Sequence, residues 1–141
     1  MASLVGHIAI VEGKYWDSTY KQYYIRTVEA TLPNVTHGAL DDERYDDRGV
    51  DIYYVTDASS SEKSGAVSYC IGQIGKPWRP DLNIVSKLTA DEDNPNWYCS
   101  ELVWAAYYSE GINLNGSTIP NHLYMPDELA SSSKLTYRDV E

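Results

Sequence analysis

The segment from Leu4 to Val11 constrains the fold most, because it is apolar on both faces if it forms a strand. Successive side chains of a strand point to opposite faces. The two faces would carry Val5, His7, Ala9 and Val11 on one side, and Leu4, Ile8 and Ile10 on the other. A strand with two apolar faces belongs in the interior of a sheet. The segment therefore predicts a central, buried strand that carries one histidine.

Further strands are predicted from alternation and from β-branched and aromatic residues. These features favour strands at Tyr23–Ala30 and Asp51–Val55, and a closing strand within Leu135–Val140. Turn residues at Glu12–Lys14 predict the end of the first strand, and Pro33–Gly38 reads as a loop. The chain thus begins with strands and ends with a short one.

Two helices are predicted between these strands. Capping residues at Asp57–Ser61 precede a helix whose apolar stripe is ended by Gly75 and Pro77. A second helix begins at or just before Cys99, and Gly111 is a suitable residue for its end. The order of elements predicts an α+β fold, with a mainly antiparallel sheet packed by helices.

Composition excludes several classes of function. The length of 141 residues suits one domain, so we expect residues 1–141 to form a single domain. The net charge of -10 argues against a nucleic-acid partner and against electrostatic docking on anionic lipid. The sequence has no apolar run of about 18 residues that would predict a transmembrane segment. We also expect no signal peptide in this chain, since residues 1–7 lack a basic region followed by a long apolar stretch.

The two cysteines are expected to differ in role. Cys70 lies on the apolar stripe of the first helix, where a cysteine behaves as a small buried hydrophobe. Cys99 stands at the start of the second helix, where backbone amides and the helix dipole favour a thiolate. From position alone, Cys99 is open to two interpretations, a packing residue or a nucleophile.

A histidine and a glutamate could complete a nucleophilic site. His7 lies within the first strand, and Glu29 interrupts the apolar end of the second. Adjacent antiparallel strands could place a carboxylate beside an imidazole and so orient it. Both residues also have structural interpretations, a satisfied core histidine and an edge carboxylate. His37 and His122 lie in predicted loops, and no two His or Cys stand at ligand spacing, so we expect no metal and no cofactor.

Several short motifs, taken together, resemble a known superfamily. They are Gly6-His7-Ile8-Ala9-Ile10-Val11, Val28-Glu29-Ala30, Gly75-Lys76-Pro77-Trp78, Tyr98-Cys99-Ser100-Glu101-Leu102-Val103-Trp104 and, loosely, Pro126-Asp127-Glu128-Leu129-Ala130. They resemble segments of the NlpC-type cysteine hydrolases. In most of that superfamily the cysteine precedes the histidine, whereas here His7 precedes Cys99. The chain from Gly6 to Ala130 therefore resembles the circularly permuted, YiiX-like branch of the papain-like fold.

The resemblance implies an enzyme and assigns roles to residues. Cys99 would be the nucleophile, His7 the general base and acid, and Glu29 the residue that orients the imidazole. Trp78 and Tyr98 would contact the substrate, although relatives have a tyrosine at the position of Trp78, where it helps to bind the oxyanion. The implied reaction is hydrolysis of an amide bond in peptidoglycan stem peptides or related peptides, in the bacterial cell envelope or outside the cell.

Two alternatives stay open at the level of sequence. Permuted relatives and an allied acyltransferase branch imply a lipid hydrolase, a thioesterase or an acyltransferase that uses the same cysteine. The replacement at Trp78 and the six residues before His7 also fit a degenerate domain that binds a peptide or a glycan without turnover. A binding module would saturate with ligand, whereas a hydrolase would release product in a reaction that depends on Cys99.

Overall fold

The computed structural model describes residues 2–4, 7–40, 51–78, 97–114, 129 and 132–138. The described strands are β1 (Ala2–Leu4), β2 (His7–Asp17), β3 (Gln22–Ala30), β4 (Val35–Leu40), β5 (Asp51–Val55) and β6 (Leu135–Arg138). The described helices are α1 (Ser60–Gly72) and α2 (Cys99–Tyr108). Within these residues, neither helix is long and apolar enough to cross a membrane.

The strands form one six-stranded sheet in the order β4-β3-β2-β1-β5-β6. Every pair of neighbouring strands in it is antiparallel. With the two helices this makes an α+β fold, as the sequence predicted. The prediction of a buried strand is confirmed for Ile8, Ala9 and Ile10 in β2. Leu4, however, belongs to β1, which precedes β2 and pairs with it.

Two turn and loop predictions were wrong. The residues Glu12–Lys14 do not end β2, which continues to Asp17 through a shift in register between Val11 and Gly13. A β-bulge absorbs an extra residue without ending the strand, so turn-forming residues there are misleading. The segment Pro33–Gly38 is not a loop, because β4 begins at Val35 and pairs along β3.

Helix α1 begins with a capping box. The Ser59 hydroxyl accepts a hydrogen bond from the Glu62 amide, and the Glu62 carboxylate accepts one from the Ser59 amide. The helix ends at Gly72, before the residues predicted to end it. Its predicted apolar stripe is only partly buried: Cys70 is fully buried, while Ile71 lies exposed near the end of the helix.

Helix α2 is the centre of the core. It begins at Cys99, as predicted, and all its residues except Tyr108 are buried. It packs against α1 and against β2, and it shares one apolar cluster with Ile10 and Val28 of the sheet. The helix that carries Cys99 is therefore fixed against the strand that carries His7. The predicted helical turn at Pro126–Ala130 lies outside the described residues, except for Leu129, which is buried.

Candidate active site

Cys99 is the first residue of α2. Tyr98 precedes it with extended backbone (φ -92°, ψ 157°), so the helical conformation starts at the cysteine. The first amides of a helix have no acceptor within the helix, and they give its N-terminus a partial positive charge. Trp97, two residues before the cysteine, is held by two hydrogen bonds. Its amide donates to the Pro77 carbonyl (2.9 Å), and its indole Nε1 donates to Gln73 Oε1 (3.0 Å). The cysteine thus stands on a well-anchored helix start.

Both cysteines are buried, but they lie in different surroundings. Cys70 lies near the end of α1, and burial raises the pKa of its thiol to about 12. A thiol of that kind stays protonated and unreactive at neutral pH. The structure therefore supports the prediction that Cys70 is a packing residue.

His7 and Glu29 meet across β2 and β3. Ile10 and Val28 are direct partners in the register of these strands. His7 and Glu29 each lie an odd number of residues from this pair, so their two side chains point to the same face of the sheet. The His7 Nε2 and Glu29 Oε1 atoms are 2.7 Å apart. The structure thus brings together the imidazole and the carboxylate that the sequence proposed as a pair.

The third member of the set also reaches the imidazole. The side chain of Cys99 lies close enough to His7 to act on its pKa, as Glu29 does. Burial by itself lowers the pKa of His7. The hydrogen bonds and charges of Cys99 and Glu29 outweigh burial, and they raise that pKa to about 9. The site therefore favours an imidazolium at neutral pH.

Glu29 is buried, and its second oxygen has a donor of its own. The Thr27 hydroxyl donates to Glu29 Oε2. Gly38, the partner of Thr27 on β4, lies against the same carboxylate. Neither residue was predicted from the sequence as part of the site. Alternation along β3 places Thr27 on the face of Glu29 and could have indicated it, whereas Gly38 fell in a segment predicted to be a loop.

Trp78 and Tyr98 lie side by side next to the cysteine. Their ring centroids are 6.1 Å apart and the rings are inclined by 47°. The Trp78 backbone is fixed by a hydrogen bond from its amide to the Pro33 carbonyl (3.2 Å) and by a bridge to Trp97. Burial raises the pKa of the Tyr98 hydroxyl, and so do the charge of Cys99 and a hydrogen bond to it. These rings therefore form an aromatic wall beside Cys99.

A second histidine–glutamate pair lies on β2 and β4, the two strands on either side of β3. His37 is not in a loop but on β4, and its Nδ1 lies 3.0 Å from Glu12 Oε2. Arg26 donates to both oxygens of Glu12, from Nε (2.7 Å) and from Nη2 (2.6 Å), and its guanidinium stacks on Tyr15. The hydrogen bond from Arg26 is the largest cause that lowers the pKa of Glu12. Neither cysteine takes part in this cluster, which is an ion-pair network.

The described residues thus define an α+β protein with a cysteine, a histidine and a glutamate assembled at a helix start. No protein-family model matches the sequence, and no curated protein matches it. A solved structure with a similar fold is the crystal structure of metalloprotein YiiX from Escherichia coli O157:H7, of DUF1105. It shares 18% sequence identity, with a TM-score of 0.55, and the match covers 86% of this chain and 78% of that one. The chain has a YiiX-like fold.

That crystal structure is described as one of a metalloprotein. Metal sites in proteins take three or more ligands, most often His, Cys, Asp or Glu. Among the residues that the structure describes, no group of three or more such side chains could hold a metal ion. The described residues therefore do not fit a metal site.

Proposed function

We propose that this protein is a cysteine hydrolase that cleaves an amide bond in a peptide through a Cys99 thioester. One observation carries the proposal: the His7 imidazole contacts the Glu29 carboxylate and lies close to the Cys99 side chain, and the cysteine stands at the N-terminus of a helix. Nucleophilic catalysis requires a nucleophile within hydrogen-bond reach of a base that a third group orients. An arrangement of this kind is a known solution to acyl transfer.

The proposed reaction begins with the thiolate of Cys99 attacking the carbonyl carbon of the substrate. The oxyanion that forms lies near the start of α2, where the Cys99 backbone N–H is a donor for it. His7, with a pKa raised to about 9, is protonated at neutral pH and gives its proton to the leaving amine. Neutral His7 then takes a proton from water, which hydrolyses the thioester and frees the acid. Glu29 holds the imidazole in place throughout.

The aromatic wall supplies part of the substrate site and one further donor. Tyr98 directly precedes Cys99, and its hydroxyl lies close enough to the cysteine for Cys99 to raise its pKa. Trp78 packs on Tyr98 and limits the movement of its ring. We infer that the Tyr98 hydroxyl assists the Cys99 amide at the oxyanion, while Trp78 contacts the peptide. The tyrosine next to the nucleophile thus compensates for the tryptophan at position 78.

The peptide class and the permuted order complete the proposal. The strand with His7 comes before the helix with Cys99, which is the order expected of a circularly permuted papain-like enzyme. The resemblance of the motifs supports peptidoglycan stem peptides or related peptides as substrates, and a bacterial cell-envelope or extracellular location. Aromatic side chains beside the sulfur suit the backbone and the apolar parts of a short peptide.

The test is turnover together with capture of the thioester. The protein is incubated with stem-peptide fragments, neutral dipeptide amides and short acyl esters, and intact-mass spectrometry follows the acyl-enzyme. Peptide cleavage with an acyl group on Cys99 is the expected result. Cys99→Ala should abolish both, whereas the matched variant Cys70→Ala should retain both.

Other outcomes identify the alternatives. Turnover of acyl esters without any peptide cleavage would replace the peptide substrate with a lipid or thioester one. Saturable binding without product or acyl-enzyme would indicate a binding module. Undiminished cleavage by Cys99→Ala would overturn the proposal altogether.

A further inference from the structure

The buried carboxylate of Glu29 is held by more than its bond to His7. It is buried, with only 4% of the residue exposed. A carboxylate so placed needs donors on both oxygens, because an unsatisfied buried charge is strongly disfavoured. Oε1 faces His7, and Oε2 accepts the hydrogen bond from Thr27. Each oxygen therefore has its own partner, and a rotation of the carboxylate would break both bonds.

Thr27 is suited to this task by its position. It lies two residues before Glu29 on β3, so both side chains point to the same face. Thr27 is fully buried, and its branched Cβ restricts the side chain to few rotamers. A hydroxyl can donate only one hydrogen bond. Here that bond goes to Glu29.

Gly38 makes room for the same carboxylate. It pairs directly with Thr27 across β3 and β4. A Cβ atom at position 38 would lie 1.9 Å from Glu29 Oε2 and 2.8 Å from Thr27 Oγ1. Both distances are too short for any side chain. Glycine inside a strand weakens the strand and often marks a close approach by another group. At Gly38 that group is the carboxylate.

We propose that Thr27 and Gly38 form a seat for the Glu29 carboxylate and act as positioning residues for the catalytic set. Thr27 supplies the donor that fixes Oε2, and Gly38 supplies the space. The carboxylate then presents Oε1 to His7 in one orientation, which holds the imidazole toward Cys99. The inference rests on the proposed function for its catalytic meaning. The seat itself concerns only how Glu29 holds His7.

The experiment measures the titration of the His7 imidazole by NMR, in the native chain and in a Cys99→Ala background. Thr27→Val keeps the shape of the side chain and removes the donor, so the midpoint of His7 should fall by about one pKa unit. Thr27→Ser keeps the hydroxyl and should restore the midpoint. Gly38→Ala forces the carboxylate out of its seat and should lower the midpoint at least as far.

Two control variants make the same changes elsewhere. Thr56→Val removes a threonine hydroxyl that contacts Thr136, and Gly72→Ala adds a methyl group where no atom lies within 4 Å. Neither should move the His7 midpoint. A purely structural role for Thr27 would lower the stability of Thr27→Val and leave that midpoint in place. If Thr27→Val does not fold, the Gly38→Ala titration decides.

The two proposals fail separately. If Cys99 proves unreactive while Thr27→Val and Gly38→Ala still lower the His7 midpoint, the seat stands and the proposed function fails. If Cys99 forms an acyl-enzyme while the midpoint is the same in every variant, the function stands and the seat is refuted. An equal fall in Thr27→Ser and Thr27→Val would also refute the role of the hydroxyl.

Discussion

The raised pKa of His7 makes the stability of the fold depend on pH, and Glu29→Gln tests this. Burial lowers the pKa of His7, but its interactions with Cys99 and Glu29 outweigh burial and raise that pKa from its ordinary value of 6.5 to about 9. A histidine whose pKa is higher in the folded state stabilises the fold fully below the unfolded pKa. That stabilisation is lost as the pH rises through the folded pKa. The window for this group therefore runs from about pH 6.5 to about pH 9.

The size of the effect follows from the two pKa values. Each pKa unit corresponds to about 1.4 kcal/mol, so the difference amounts to roughly 3 kcal/mol between about pH 6 and about pH 9.5. Glu29→Gln keeps the shape of the side chain and removes its charge. Burial then lowers the pKa of His7 and only Cys99 opposes it. The native chain should be more stable than Glu29→Gln, and this difference in the free energy of unfolding should be up to about 3 kcal/mol larger at the lower pH.

Urea unfolding followed by tryptophan fluorescence measures this difference at both pH values. The comparison between two chains cancels the titration of the tyrosines, which both share. Glu110→Gln is a matched control, since its carboxylate packs beside Gly65 of α1 and not against His7. It should follow the native pH dependence. If Glu29→Gln loses the same stability at both pH values, the imidazole does not depend on Glu29 and our reasoning on the site is wrong.

Three further predictions concern the site and the core. Iodoacetamide should label Cys99 rapidly near neutral pH and leave Cys70 unmodified, as read by peptide mass spectrometry, and the rapid labelling should be lost in His7→Ala. Tyr98→Phe should lower kcat about tenfold with little change in KM, because its hydroxyl acts on the oxyanion and not on the bound substrate; a change confined to KM would contradict this. Leu102→Ala should cost about 2–5 kcal/mol in urea unfolding, because the side chain is fully buried in α2, and a loss below that range would show that the core repacks.

More of the candidate site than of the sheet could be predicted from the sequence. Position at the start of a helix singled out Cys99, and alternation along two strands singled out Glu29 as a carboxylate in an apolar environment. Both signals are local, so they can be read from the sequence. The meeting of His7 with Glu29 depends on the register of β2 and β3, which the sequence permits without fixing it. The resemblance to the permuted hydrolases supplied that pairing.

Other features of the sheet could not be read from local patterns. Gly13 looks like a turn residue, yet it lies at a register shift inside β2. The polar residues within β4 hid a strand whose buried positions, Val35 and Leu40, lie only at its ends. Gly38 has no local signal at all, because its role is to leave space for a side chain of another strand. Contacts between strands set these features, and they appear only once the fold is known.

The two histidine–glutamate pairs differ in the group that holds the carboxylate. Glu12 is held by an arginine, which keeps its proton at any pH relevant to the protein. Glu29 instead faces an imidazole, whose charge can come and go. When His7 gives its proton to a leaving amine, the buried carboxylate loses its charged partner. That loss favours the return of a proton from water to the imidazole, which is the step that hydrolyses the thioester. The same bond that raises the pKa of His7 thus drives the second half of the proposed reaction.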